Sequence, residues 1–159
     1  MHLYLMRHAE AVERDEWDGP DKTRPLTKAG RHEAARVAQA LISKHRAKVD
    51  AVWTSPLVRA MQTAEIAAEA LKAPVAECPE LAGGAQLSEL AAALKRAKAP
   101  DRLMLVGHEP DFGWLLAGLL GGAEPLPFKK AGVACLTGAF KQAGMKLLWR
   151  REPKDLPKA

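Results

Sequence analysis

The sequence predicts an α/β fold, a three-layer sandwich in which a mainly parallel central sheet carries helices on both faces. Two observations point there. Strand-length apolar runs alternate along the chain with segments whose apolar residues recur at helical spacing, the signature of a parallel sheet wrapped by its crossover helices. The runs at residues 3–6 and 103–106 are apolar at successive positions, as in strands buried on both sides.

The first strand occupies about residues 1–7, where Leu3, Tyr4, Leu5 and Met6 lead into Arg7. Residues 13–25 are polar and contain the turn formers Asp18, Gly19, Pro20 and Asp21, which predict a long loop of the kind that is commonly functional. Thr27 is placed to cap a helix that buries Ala34, Val37, Ala38, Leu41 and Ile42 and ends near His45. Residues 50–54 read as the second strand. Ser55 followed by Pro56 predicts an N-cap with proline at the first helical position, and Leu57, Ala60, Met61, Ala64, Ala68 and Leu71 form that helix's apolar face.

A short third strand is expected at residues 74–78, then a helix opened by Ser88 or a neighbour, with Leu87, Leu90, Ala91 and Leu94 inward. The fourth strand ends in Gly107 and His108. Pro110 then starts a helix carrying Phe112, Leu115, Leu116 and Leu119, stopped by Gly121 and Gly122. Two last strands, near residues 132–137 and 145–149, are spaced as a hairpin. One domain is expected over residues 1–153, with 154–159 as a loose C-terminal tail.

Composition removes several function classes. A chain of 159 residues, 48% hydrophobic and 27% charged, fits one globular domain. No apolar run is long enough to span a membrane, and the N-terminal apolar stretch is too short for a signal peptide, so a cytoplasmic location with no membrane partner is expected. Cys78 and Cys135 lie far apart without a CxxC pairing, which predicts buried thiols in place of a disulfide or zinc site. A net charge of +5 favours anionic partners, but the basic residues are scattered and aromatics are only 5%, which argues against nucleic acid. No apolar helix face or heptad seam is left over, so a monomer is expected.

Ligand sites in open α/β sheets gather beyond the carboxyl ends of the strands. There the first strand delivers Arg7 and His8, the second delivers Thr54 and Ser55 with Arg59 a turn into the next helix, and the fourth delivers Gly107 and His108. Singly, each has an ordinary reading: a half-buried histidine, a salt bridge from Arg59 to Glu65 or Glu10, a loop clamped by Arg7. Together, two imidazoles and two guanidiniums at successive strand ends call for an anion between them, and phosphate matches guanidinium forks.

These residues carry a family resemblance. The segment Leu5-Met6-Arg7-His8-Ala9-Glu10-Ala11 resembles the RHG-type motif of the histidine phosphatase superfamily, which also includes phosphoglycerate mutases and acid phosphatases. Residues 54–64, TSPLVRAMQTA, resemble its second motif, and Val106-Gly107-His108 its third. Arg24-Pro25-Leu26-Thr27 before the first helix is similar to the SixA branch of phosphohistidine phosphatases. The likeness runs over about residues 1–140 and is specific as a set. Ala9 departs from the glycine of many relatives, by one methyl group.

The resemblance implies a phosphoglycerate mutase-like fold, His8 as phosphoryl acceptor, Arg7 and Arg59 as phosphate clamps, and His108 as a further donor to the phosphoryl group. No metal or cofactor is expected, as no HExxH, paired aspartates or P-loop occurs. An alkoxide leaving group needs a general acid, whereas an imidazole leaving group needs less help. Glu80 is the candidate acid, although its surroundings do not match the mutase-type pattern, and Glu89 lies near it. Loop 13–25, with Trp17 and Arg24, is the expected rim of a shallow pocket, because the chain has little length left for a cap.

The expected activity is a phosphohistidine phosphatase-like hydrolase acting on a phosphorylated protein such as a phosphotransfer domain. The alternatives are a phosphomonoesterase for a small phosphorylated molecule, or a phosphate-binding module without turnover, in which a nucleophile would have no use.

Overall fold

The computed structural model of the chain describes residues 1–157. Its strands are β1 (His2–Arg7), β2 (Ala51–Thr54), β3 (Val75–Glu77), β4 (Arg102–Gly107), β5 (Val133–Gly138) and β6 (Met145–Arg151). Its helices are α1 (Lys28–His45), α2 (Val58–Leu71), α3 (Leu87–Arg96) and α4 (Asp111–Leu120). The sheet order is β3-β2-β4-β1-β5-β6. The first four of these run parallel, and β5 and β6 join as antiparallel neighbours on the β1 side.

The period of two in a strand sorts the continuous apolar runs onto two faces. Tyr4, Met6, Met104, Val106 and Val52 face α1 and α2, packing on Val37, Leu41, Ala64 and Ala68. Leu3, Leu5, Leu103 and Leu105 face the other way, onto Leu90 and Leu94 of α3 and Phe112 and Leu116 of α4. Both faces are thus covered, as the unbroken hydrophobicity of β1 and β4 requires.

Thr27 caps α1 as expected, its hydroxyl accepting from Gly30 N at 2.9 Å. Gly30 is needed here because a Cβ would fall 2.1 Å from the Glu10 carbonyl oxygen. This close approach seats the start of α1 against the end of the first motif. An antiparallel bridge between Ala11 and Leu26 closes the base of the intervening loop. Within that loop two short 3-10 turns, Arg14–Glu16 and Asp21–Thr23, give the polar segment a fixed shape.

Two local expectations are corrected and a third is refined. Helix α2 begins at Val58, so Ser55 is not its cap; the Ser55 hydroxyl accepts from Leu57 N at 3.1 Å and contacts His108, and Leu57 stays extended. Helix α3 begins at Leu87 with no side-chain cap from Gln86, and Ser88 lies inside its first turn. Burial of Leu90 and Leu94, and not a cap, fixes that helix. The tail is not loose over residues 154–157: a 3-10 turn at Pro153–Asp155 is followed by Leu156, which is buried in the core. Arg36 of α1 donates to the carbonyls of Pro153, Leu156 and Pro157 at 2.9–3.1 Å. Residues 158 and 159 of the expected tail lie outside the described residues.

Among the described residues no helix is long and apolar enough to cross a membrane. Cys78 and Cys135 are both free and buried, and burial raises each thiol pKa to about 11.

Candidate active site

Parallel pairing of β1 with β4 sets Arg7 opposite Gly107, so the next residue of each strand, His8 and His108, emerges side by side. His8 N donates to the Gly107 carbonyl at 3.0 Å, extending the ladder one step past the strand ends. The two imidazole rings are 5.2 Å apart, centre to centre. Gly107 permits this packing, since a Cβ there would meet the Phe112 ring at 2.7 Å.

His8 is 7% exposed. Its Nδ1 lies 2.7 Å from the Ala9 carbonyl oxygen, which can only accept. Nδ1 therefore carries the proton, and Nε2 keeps its lone pair. Ala9 is itself held, its N–H donating to Thr63 Oγ1 at 3.1 Å while that hydroxyl donates to the Arg59 carbonyl at 2.8 Å. The extra methyl of Ala9 is wholly buried in the core on the α1 and α2 face.

His108 Nε2 lies 2.7 Å from the fully buried Ser55 Oγ. One lone pair of that oxygen already accepts from Leu57 N, and the Ser55 proton is free to donate to Nε2. That arrangement puts the His108 proton on Nδ1, which is buried and has no partner. Burial is the main cause that pushes both imidazoles down, His8 to about 3 and His108 to about 4. The charges of Arg59 and Arg7 add to the depression at each ring, and the Ala9 carbonyl opposes it at His8. Both rings are neutral at physiological pH.

Arg7, the last residue of β1, donates from Nη1 to the Phe128 carbonyl at 2.9 Å. Arg59, the second residue of α2, donates from Nη1 to the Asp21 carbonyl at 3.0 Å and from Nη2 to Asp21 Oδ2 at 3.3 Å. Asp21 also binds Arg24 at 3.1 Å and Arg14 at 3.3 Å, so one carboxylate draws three guanidiniums together and fastens loop 13–25 to the site. Burial lowers the Arg7 and Arg59 pKa values, with Glu109 opposing at Arg7 and Asp21 opposing at Arg59.

The four residues Arg7, His8, Arg59 and His108 line one cavity of about 270 Å³. Among the described residues the buried side-chain nitrogens without a hydrogen-bond partner are Arg7 Nε, Arg59 Nε and His108 Nδ1. All three belong to residues that line this cavity. Buried donors are rarely left unmatched, and three on residues that line one cavity suit a compact anion with several acceptor oxygens.

Arg24 lines the cavity. Trp17 does not: its Nε1 donates within its own loop, to the Pro20 carbonyl and Thr23 Oγ1, both at 3.2 Å. Glu80 is also outside. The 3-10 turn Pro79–Ala82 directs its carboxylate to Arg96 at 2.9 Å and to the Cys78 thiol. The cavity has carboxylates that the sequence did not single out, Glu13 and Glu109, and two further cations, Arg14 and Lys130. Glu109 had a signal in directly following His108. Glu13 and Arg14 lay in the loop already marked as functional. Among the described residues no group of three or more His, Cys, Asp or Glu is arranged to hold a metal ion.

The model of the histidine phosphatase superfamily (branch 1) matches residues 3–85. An uncharacterized protein of Picosynechococcus is 41% identical over 140 residues, covering 84% of this chain and 82% of its own length. Phosphohistidine phosphatase SixA of Escherichia coli is 28% identical over 165 residues, covering 100% of this chain and 98% of its own. The solved structure of the protein histidine phosphatase SixA complexed with tungstate superposes with a TM-score of 0.83 at 26% identity, covering 97% of this chain and 98% of that one.

Proposed function

The chain belongs to the histidine phosphatase superfamily and is a hydrolase of that class, and from that premise we propose that it removes phosphate from phosphohistidine on a protein, with His8 as nucleophile. The observation that carries this reading is the convergence of a neutral imidazole and three unmatched buried donors on one small cavity. The similarity to phosphohistidine phosphatase SixA supports the substrate class.

His8 Nε2 attacks phosphorus in line with the substrate imidazole. The P–N bond to the substrate breaks, its electron pair stays on the departing ring nitrogen, and that ring is released neutral after taking a proton from solvent. The phosphoryl group now sits on Nε2 of His8, while Nδ1–H remains on the Ala9 carbonyl. Water then attacks phosphorus, the P–Nε2 bond breaks, and phosphate leaves with His8 again neutral. Through both steps Arg7, Arg59 and His108 Nδ1–H hold the phosphoryl oxygens, the electrostatic contribution that dominates phosphoryl transfer. The proposed setting is the cytoplasm, as a monomer.

The direct test is a substrate panel: a histidine phosphotransfer domain phosphorylated on histidine, free phosphohistidine, a phosphoserine peptide and small phosphate esters. Preferred turnover of the phosphohistidine domain is expected. Equal or better turnover of the phosphoserine peptide overturns the assignment. A second reading, a phosphomonoesterase for a small metabolite, is favoured by Glu13 and Glu109 at the cavity, either of which could protonate an alkoxide. Under that reading one of the variants Glu13→Gln and Glu109→Gln abolishes ester hydrolysis and spares phosphohistidine hydrolysis.

A further inference from the structure

A second feature adjoins the cavity and has no part in the chemistry described so far. Residues 128–132 form a strap across the end of β1. Its Phe128 N–H donates to Glu109 Oε1 at 2.8 Å and its Phe128 carbonyl accepts from Arg7. Ala131 N donates to the His8 carbonyl at 3.1 Å, Gly132 N to the Lys129 carbonyl at 2.8 Å, and the Gly132 carbonyl accepts from Arg7 N at 3.1 Å. Phe128 and Ala131 are buried at either end, and Ala131 takes a left-handed φ of 58° to close the turn.

Between those anchors Lys129 and Lys130 are both exposed, and neither forms an ion pair among the described residues. Lys130 and Arg7 border the catalytic cavity and also a neighbouring groove of about 460 Å³ that includes Lys129 and Lys154. The groove's carboxylates already have partners, Glu33 with Arg36 at 3.9 Å and Glu152 with Lys154 at 3.4 Å. The positive charge of the strap is therefore not balanced from within the groove.

We propose that this strap and groove are a docking lip for an acidic segment of the protein that presents the phosphorylated histidine. The proposal rests on the phosphatase reading above and names its partner's surface. A phosphoryl group bonded to a side chain must enter the cavity with the partner's surface lying across its rim, and the strap is part of that rim. Charge complementarity calls for Asp and Glu beside the phosphohistidine, and the anchored backbone presents the two lysines with little ordering left to do. A small ester buried in the cavity would have no group at the outer lysine, Lys129.

The test uses the Lys129→Glu/Lys154→Glu variant, leaving Lys130 intact because it lines the catalytic cavity. The probes are a phosphohistidine phosphotransfer domain with acidic residues around its histidine, the same domain with those acids changed to amides, p-nitrophenyl phosphate, and 3-phosphoglycerate. For the acidic domain we expect kcat/KM to fall about 10-fold or more, carried by KM, with a weaker dependence on salt. Turnover of p-nitrophenyl phosphate should stay within about twofold, and the amide domain should not distinguish variant from wild type.

Equal loss on the acidic domain and p-nitrophenyl phosphate overturns the proposal, as does no loss on either. Loss on 3-phosphoglycerate alone also overturns it, and assigns the lip to a small carboxylated ester. If the wild-type enzyme turns over no phosphohistidine at all, the phosphatase reading fails separately. Titration of the unphosphorylated acidic domain against wild type and variant then decides the lip: weaker binding by the variant supports it, and equal affinity overturns it.

Discussion

Acidification should destabilise this protein well before its carboxylates titrate, and the two site histidines should be the cause. Burial holds His8 at about 3 and His108 at about 4, against an unfolded value of 6.5. The unfolded chain therefore binds more protons than the native one below pH 6.5. Stability is fully present above that pH and is lost as pH falls, until the native rings themselves protonate. Each histidine contributes up to about 1.4 kcal/mol per pH unit within the window, and half that at pH 6.5 itself, so from pH 6.5 to pH 5 the pair costs roughly 3 kcal/mol. That is a large share of the roughly 5–15 kcal/mol typical of a domain.

Urea unfolding at pH 7.5, 6.5 and 5.0 measures the loss directly, with His8→Asn/His108→Asn as the comparison. The double variant should lose most of the pH dependence. What remains should include His45, whose pKa burial and then Arg151 also lower. Bound inorganic phosphate at pH 7.5 should raise wild-type stability, and should raise the double variant's by less, because that variant keeps Arg7 and Arg59 but lacks the His108 donor. Parallel pH profiles for wild type and variant between pH 6.5 and 5 would refute the argument, because they would mean that neither ring is held neutral by the fold.

Other outcomes separate the roles of neighbouring groups. His8→Ala should abolish the phosphoenzyme, whereas His108→Ala should slow its formation by about 10² to 10³, the cost of one transition-state donor; ³²P labelling with an alkaline quench, which preserves phosphoramidates, reads both. Ser55→Ala removes the hydroxyl that sets the His108 tautomer and should lower kcat roughly 10-fold with little change in KM. The ¹⁵N shifts of His108 should change with it, and Ser55→Thr should restore both. Glu80→Gln should leave kcat and KM within about twofold on every substrate, as its carboxylate is engaged with Arg96 and lies outside the cavity.

The strands, the four helices and the four residues drawn to one cavity were legible because each depends on a local signal: an apolar run, a period, or a polar residue directly at a strand's end. Thr27 could be read as a cap because its hydroxyl serves the adjacent turn. Ser55 could not, since a Ser-Pro pair looks the same whether the hydroxyl caps a helix or meets an imidazole 53 residues away. Glu80 was misplaced for a similar reason. Its position after the third strand suggested an acid, but the 3-10 turn that aims it at Arg96 has no separate mark in the sequence. The convergence of Arg14, Arg24 and Arg59 on Asp21 joins a loop to a helix, and the closeness of the 128–132 strap to His8 joins the two halves of the chain. No periodicity announces either.

The place of β1 in the sheet has a consequence for how the chain assembles. Both neighbours of this strand come from the second half of the sequence, β4 at Arg102–Gly107 and β5 at Val133–Gly138. The amino terminus is tied to the Gly138 carbonyl across a separation of 137 residues. During synthesis the N-terminal strand must wait, apolar and unpaired, while α1, β2 and α2 emerge, and it can enter the sheet only when most of the polypeptide is available. Such long-range closure slows folding and lengthens the exposure of a strand that is hydrophobic on both sides. The order of synthesis also delays the site: Gly107 is the acceptor that sets His8 beside His108, so no partial chain ending before β4 can possess this cavity.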